Sequence, residues 1–246
     1  MFRYGNHFST PPVVLNLLII NILFFMAKAL LPEQTSNMLI NTLGLHFWRS
    51  PEFSFWQPLT YMFLHSNFTH LFMNMFALWM FGRTIENYWG GKRFLIYYLV
   101  TGIGAGLIQE VVYSIRIHQI ISQLSPELVD MVKNDGLAIL QQSKNYTDKL
   151  MGDLNLLFNM GTVGASGSVF GILLAFGLMF PNALIYIYFL FPIKAKWFVL
   201  GYGILELWLG IANRSGDNVA HFAHLGGMIF GFFLLLSWKR QGKIRY

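Results

Sequence analysis

What most limits how this chain can fold is a succession of long apolar runs with hardly a charge inside them. Val13 to Leu31 holds one charged residue, Lys28, and Val163 to Phe180 holds none before Pro181 ends it. Further runs cover Phe68 to Gly82 (with an apolar approach from about Leu59), Arg93 to Val112, Ala195 to Ala212 and Val219 to Trp238. About 20 mostly apolar residues make a helix long enough to cross the hydrocarbon of a bilayer. Inside that hydrocarbon every backbone N–H and C=O needs a partner within the protein, and a helix supplies its own. The chain is 55% hydrophobic and 11% charged, whereas soluble domains are roughly a quarter charged. Too few charges remain to cover a water-facing surface. A secreted domain, a disordered chain and a simple soluble α/β enzyme are excluded. The expected fold is an all-α membrane protein of six transmembrane helices, organised as a single membrane domain over 1–246.

Basic residues orient such a bundle, because cytoplasmic loops are enriched in Lys and Arg. In a six-span chain, Arg3, Arg83, Lys92, Arg93, Lys194, Lys196, Lys239, Arg240, Lys243 and Arg245 fall on one side, ten of the seventeen basic residues. Lys28, Arg49, Arg116, Lys133, Lys144, Lys149 and Arg214 are spread over longer loops on the other side. Both termini are therefore expected in the cytoplasm. The net charge of +6 is read as topogenic, with no nucleic-acid partner implied. A cleavable signal peptide would need small residues at its cleavage site, but Lys28 interrupts Ala27-Lys28-Ala29, so the first span is read as retained. Cysteine is absent, which excludes a disulfide, a thiolate nucleophile and a Cys-bound metal.

Two external stretches are too long for turns. Pro32 to about Gln57 carries Phe47, Trp48, Phe53, Phe55 and Trp56, aromatic residues suited to the headgroup level. The polar segment 113–161, from Tyr113 to about Gly161, contains Ser125-Pro126-Glu127, an N-cap followed by Pro and an acid in the first helical turn. An amphipathic helix follows, with Gly136 as its expected interruption. An interfacial helix pair is the plainer reading of this insert and a mobile lid the sharper one.

Ionisable and polar groups inside spans are costly, so each needs a reason. His70 and Asn74, four residues apart, share one helix face and bring two side-chain hydrogen-bond donors; interhelical hydrogen bonding is the plain alternative. Gly164-Ala165-Ser166-Gly167 opens the fourth span, where Gly164 and Gly167 let a substrate or a backbone approach the Ser166 hydroxyl. Free N–H groups at a helix start suit a developing anion, although small residues also form packing faces. His221 and His224 share a face of the sixth span, and Gly227-x-x-x-Gly231 supplies a close-contact seam. Together these are the parts of an acyl-transfer site: a serine, a histidine base, and donors at His70, Asn74 and a backbone N–H for the oxyanion. No Asp or Glu accompanies His221 within its own span, so a Ser–His dyad is inferred.

With those residues in view, the chain resembles the rhomboid family of intramembrane serine proteases. The likeness rests on six spans, His65…His70…Asn74, Gly82…Glu86…Gly90, Gly164-x-Ser166-Gly167 and Ala220-His221. It implies that Ser166 is the nucleophile, His221 the base, and His70 and Asn74 with the Ser166 N–H the oxyanion hole. It further implies that His65 organises polar groups and water near the site. Trp56 would occupy a first external loop lying partly in the membrane. Departures are Gln57 where many members have Arg after that Trp, Phe170 where some have a Tyr stacked on the catalytic His, and the long insert. The implied substrates are single-pass transmembrane proteins cut near the extracytoplasmic edge, in a bacterial inner membrane, with the lipid bilayer itself as the other partner. No metal and no cofactor are expected, because His-Glu-x-x-His is absent, and a transporter would show paired broken helices. The alternative is a catalytically silent pseudoprotease or derlin-like binder of membrane clients, against which retention of Ser166, His221, His70 and Asn74 speaks.

Overall fold

The computed structural model describes residues 10–187, 190–212 and 220–244. Arg3, Arg214, Val219 and Arg245, used above for orientation or span limits, lie outside the described residues. The chain opens with α1 (Pro12–Leu30) and α2 (Glu33–Leu43), then a short α3 (Gln57–Thr60) running into a 3-10 turn at Tyr61–Phe63. A continuous helical run follows: α4 (Phe68–Ala77), a π turn at Leu78–Gly82 and α5 (Arg83–Trp89). Next come α6 (Gly91–Ile121), α7 (Pro126–Gln141), α8 (Lys149–Asn159) and α9 (Ser166–Met179). A hairpin of β1 (Leu184–Ile187) and β2 (Phe191–Lys194) leads to α10 (Ala195–Ala212), and α11 (His221–Arg240) follows.

Among the described residues four helices (α1, α6, α10 and α11) are long and apolar enough to cross a membrane, and α9 is a shorter apolar helix. The all-α expectation holds apart from the hairpin, whose antiparallel pairs run from Leu184–Lys194 to Ile187–Phe191. The expected second span is longer than its apolar core, because the helix continues through the π turn until Gly90, at φ 79, ends it. A left-handed φ is one that glycine adopts without strain.

The outward surface is apolar, unlike that of a soluble protein. Leu23, Ile211 and Phe233 are 61%, 69% and 64% exposed, while Asn21, Asn74, Glu86, Thr101, Gln109 and Glu206 are buried among the helices. An apolar face of that extent needs a hydrocarbon partner. Among the inward groups, Glu86 accepts from the backbone N–H groups of Val13 and Val14 at 3.0 and 2.7 Å. It supplies α1 with the N-terminal cap that Pro11 cannot, and the negative charge meets the positive end of the helix. Glu86→Ala, which orphans both donors, should cost about 2–3 kcal/mol, read as a lower unfolding temperature in detergent.

At the centre α9 and α11 pack against α6. The Tyr97 hydroxyl donates to the Gly171 carbonyl at 2.8 Å, and the Ser168 hydroxyl to the Tyr98 carbonyl at 2.7 Å. The 113–161 segment differs from expectation in two ways. Tyr113 to Ile121, assigned to a loop, continues α6, so this helix of 31 residues is about 46 Å long, more than the roughly 30 Å hydrocarbon thickness. Gly136 does not interrupt its helix. Its missing Cβ makes room for Asn155, which donates to the Gly136 carbonyl at 3.1 Å and to Asn145 Oδ1 at 2.9 Å. The helix pair builds a second small core from Val129, Val132, Met151, Leu154 and Phe158, seated on Phe47 and Ile117. At its start, the Ser125 hydroxyl holds the Glu127 carboxyl below the usual carboxylate range, in keeping with the helix start read from Ser125-Pro126-Glu127.

Candidate active site

The register of the site is set by two glycines. A Cβ on Gly227 would overlap the Gly167 carbonyl, and one on Gly167 would meet Ala105. The α9 and α11 backbones therefore touch at Gly167 and Gly227. Side chains on α11 that lie one turn before Gly227 face the first residue of α9. That position is occupied by His224.

His224 Nε2 lies 2.8 Å from Ser166 Oγ. The Phe170 ring, one turn further along α9, stacks on the His224 imidazole with centroids 4.2 Å apart and planes 7° from parallel. The expected pairing of Ser166 with His221 is thus corrected. His221 is the first residue of α11, six positions before Gly227, or about 9 Å along the axis. It stands one turn too far out to meet Ser166 and turns instead to Glu206 on α10, with Nδ1 at 2.6 Å from Oε2. The same Oε2 lies 2.8 Å from His224 Nδ1. The acid beside both histidines thus comes from α10 and not from the sixth span.

Asn67 caps α4, its Oδ1 accepting from the His70 N–H at 2.9 Å. The helix thereby starts so that His70 and Asn74 point inward. His70 Nδ1 is 3.0 Å from Ser66 Oγ, and Asn74 donates to the His70 carbonyl at 2.9 Å. Gly164, at φ 139, lies in the non-helical segment that leads into Ser166. A Cβ there would stand 2.8 Å from His70 Cε1 and 3.6 Å from Ser166 Oγ. The space vacated by that Cβ is therefore bounded by the His70 ring on one side and the Ser166 hydroxyl on the other. His65 is buried and packs edge-on to His70 with centroids 5.0 Å apart. Lys28 pins this turn by donating to the His65 and Ser66 carbonyls at 2.9 and 2.6 Å.

The segment between α2 and α3 is tied down around Gln57. Its side chain donates to the Glu52 carbonyl at 2.7 Å and accepts from the His46 N–H at 3.2 Å, so this residue bridges two parts of the loop. Trp56 is half-exposed and donates from Nε1 to the Thr42 carbonyl at 3.0 Å. The geometry thus gathers Ser166, His224, Phe170, Gly164, Gly167, His70, Asn74 and His65, and leaves Trp56 and His221 outside direct contact with Ser166. An imidazole nitrogen at hydrogen-bond distance from a serine hydroxyl can take its proton as the oxygen attacks a carbonyl. Donors flanking the Gly164 gap can stabilise negative charge on that carbonyl.

Glu206 escaped the sequence reading and His224 was noted there without its role, yet both had left a signal. Glu206 is the one acid in the fifth apolar run, a costly placement that marks a site. His224 precedes Gly227 by three residues, the spacing that puts it at the seam.

Comparison with known proteins bears on the family of the chain. Residues 52–117 and 139–240 match the Rhomboid domain, and α7 falls mostly in the gap between the two segments. The chain is 30% identical over 177 residues to Rhomboid protein 1, mitochondrial, of Saccharomyces cerevisiae, covering 72% of this chain and 39% of that protein. It is 28% identical over 184 residues to Rhomboid protease GluP of Bacillus subtilis, covering 72% of this chain and 25% of that protein. Rhomboid protease AarA of Providencia stuartii is 26% identical over 185 residues, covering 74% of this chain and 56% of that one. The chain thus spans between a quarter and just over half the length of these relatives. The matched domain and the apolar helices identify the chain as a multi-pass membrane protein belonging to the rhomboid family.

Proposed function

We propose that this protein is an intramembrane serine endopeptidase in which Ser166 is the nucleophile and His224 the base. The observation that carries the reading is the 2.8 Å contact between His224 Nε2 and Ser166 Oγ under the stacked Phe170 ring. In the reaction Ser166 Oγ bonds to the scissile carbonyl carbon as its proton passes to His224 Nε2. Negative charge gathers on the carbonyl oxygen, where His70, Asn74 and the Ser166 N–H are its proposed donors. Collapse breaks the C–N bond, and His224 returns the proton to the leaving amine. Water then releases the acyl group by the same route.

The proposed substrates are single-pass transmembrane proteins. A helical substrate hides its carbonyls in i→i−4 bonds, so small or helix-destabilising residues near the cut favour cleavage. The short α9, 14 residues or about 21 Å, supports a site lying below the membrane surface. Ser66 and Asn67, both exposed, are the proposed lining of a water entry beside it. The same reading makes the chain a single domain of six spans, counting the α4–α5 run and α9, with both termini cytoplasmic in a bacterial inner membrane. The clustering of Lys194 and Lys196 at the start of α10 and of Lys239 and Arg240 at the end of α11 supports that orientation.

The test is covalent labelling of the purified protein by a fluorophosphonate, together with cleavage of a transmembrane substrate carrying a helix-destabilised segment. Wild type should label and cleave, and Ser166→Ala should do neither. A folded wild type that does neither would favour the client-binding alternative.

A further inference from the structure

Helix α10 buries little of itself: among its described residues Ala195, Val199, Glu206 and Gly210 are the buried ones. The rest of its surface is apolar and outward, with Ile204, Trp208 and Ile211 all more than half exposed. A carboxyl on the buried stripe of such a helix is costly unless it is paired. Glu206 is paired twice through one oxygen, to His221 Nδ1 at 2.6 Å and to His224 Nδ1 at 2.8 Å. Its side chain and both imidazoles are about a tenth exposed or less.

That geometry dictates proton positions. A carboxylate accepts and does not donate, and each imidazole has one acceptor nitrogen when neutral. A carboxylate oxygen facing both Nδ1 atoms is satisfied when both carry hydrogen. His224 then keeps its lone pair at Nε2, the atom that faces Ser166 Oγ. The opposite tautomer would place an N–H toward the serine, where it cannot take a proton.

We propose that Glu206 is a positioning residue for the reaction. Its carboxylate holds His224 in the Nδ1–H form, stabilises the imidazolium that forms when Ser166 is deprotonated, and is itself held in place by His221. The inference rests on the serine endopeptidase reading and turns its Ser–His pair into a Ser166–His224–Glu206 relay whose acid comes from a neighbouring helix. The three donor atoms also lie within 4.8 Å of one another, close enough to suggest a cation site. Metal bonds of about 2.0–2.1 Å in tetrahedral geometry separate donors by roughly 3.3 Å, however, and contacts of 2.6 and 2.8 Å are those of hydrogen bonds.

The experiment combines nitrogen-15 histidine NMR of the full chain in detergent with labelling and cleavage kinetics, for wild type, Glu206→Gln, Glu206→Asp and Ser166→Ala. The wild type is expected to show a downfield, hydrogen-bonded Nδ1 proton on His224. Glu206→Gln should lose that signature and lower kcat by about 10²-fold or more with KM little changed, as when the acid of a serine protease triad is replaced by its amide. Glu206→Asp should recover part of both. Ser166 labelling in the wild type, absent in Ser166→Ala, reports on the underlying reading alone. A wild type that labels while Glu206→Gln labels equally fast therefore overturns only the role of Glu206. If Glu206→Gln does not fold, the wild-type spectrum decides. A His224 Nδ1 without a proton, whether from the other tautomer or from a cation held by the three donors, overturns the proposal.

Discussion

His224→Ala is expected to lower turnover of a transmembrane substrate by about 10⁴-fold or more, the range seen when a serine hydrolase loses its base. His221→Ala should cost no more than about 10-fold, because a residue that acts through another removes less than one that carries the proton. The two histidines stand on one helix face three residues apart, and in the sequence they compete for the same role. Geometry separates them: His224 touches Ser166 at 2.8 Å and lies under Phe170, whereas His221 touches Glu206. Single-turnover cleavage by the two variants, with folding checked by thermal unfolding, would settle the assignment. A dead His221→Ala beside an active His224→Ala would reverse it.

Gly227→Val should be the most destabilising single change at the seam. A Cβ at this position overlaps the Gly167 carbonyl, and a backbone atom has no rotamer by which to move aside. Helices α9 and α11 must separate, costing at least about 3 kcal/mol and pulling His224 away from Ser166. The variant should unfold at much lower temperature, and the part that stays folded should label slowly with fluorophosphonate. Gly201→Ala provides the contrast. Nothing lies within 4 Å of a Cβ there, so the substitution on α10 should stabilise by roughly 0.5–1 kcal/mol through helix propensity. If both glycines tolerate substitution alike, close approach does not set the register.

Much of the architecture is local in origin, and for that reason it was legible. The first, fifth and sixth apolar runs ended within one or two residues of α1, α10 and α11 among the described positions, because hydropathy and length alone decide such helices. The insert was read less well. Tyr113 to Ile121 is polar enough to suggest a loop, yet it continues α6 because α7 and α8 cover its apolar face with Val129, Val132, Leu154 and Phe158. A helix stabilised by partners far along the chain carries no periodic signal strong enough to announce them. Gly136 likewise suggested a break, until Asn155 filled the gap above it.

The candidate site divides along the same line. Ser166, His70, Asn74 and the glycines that flank the serine stood out in the sequence because polar and small residues are expensive or conspicuous inside apolar runs. So the sequence by itself determined that the chain is a helical membrane protein with the parts of a serine site on three spans. Which histidine meets the serine depended on the axial register of α9 against α11, a relation between helices set where Gly227 reaches Gly167. That an acid from α10 stands behind both histidines depended on a third helix, whose place in the bundle no spacing within one segment encodes. Hydropathy is a property of each segment, whereas a hydrogen-bonding constellation is a property of how segments pack, and only the tertiary structure decided it.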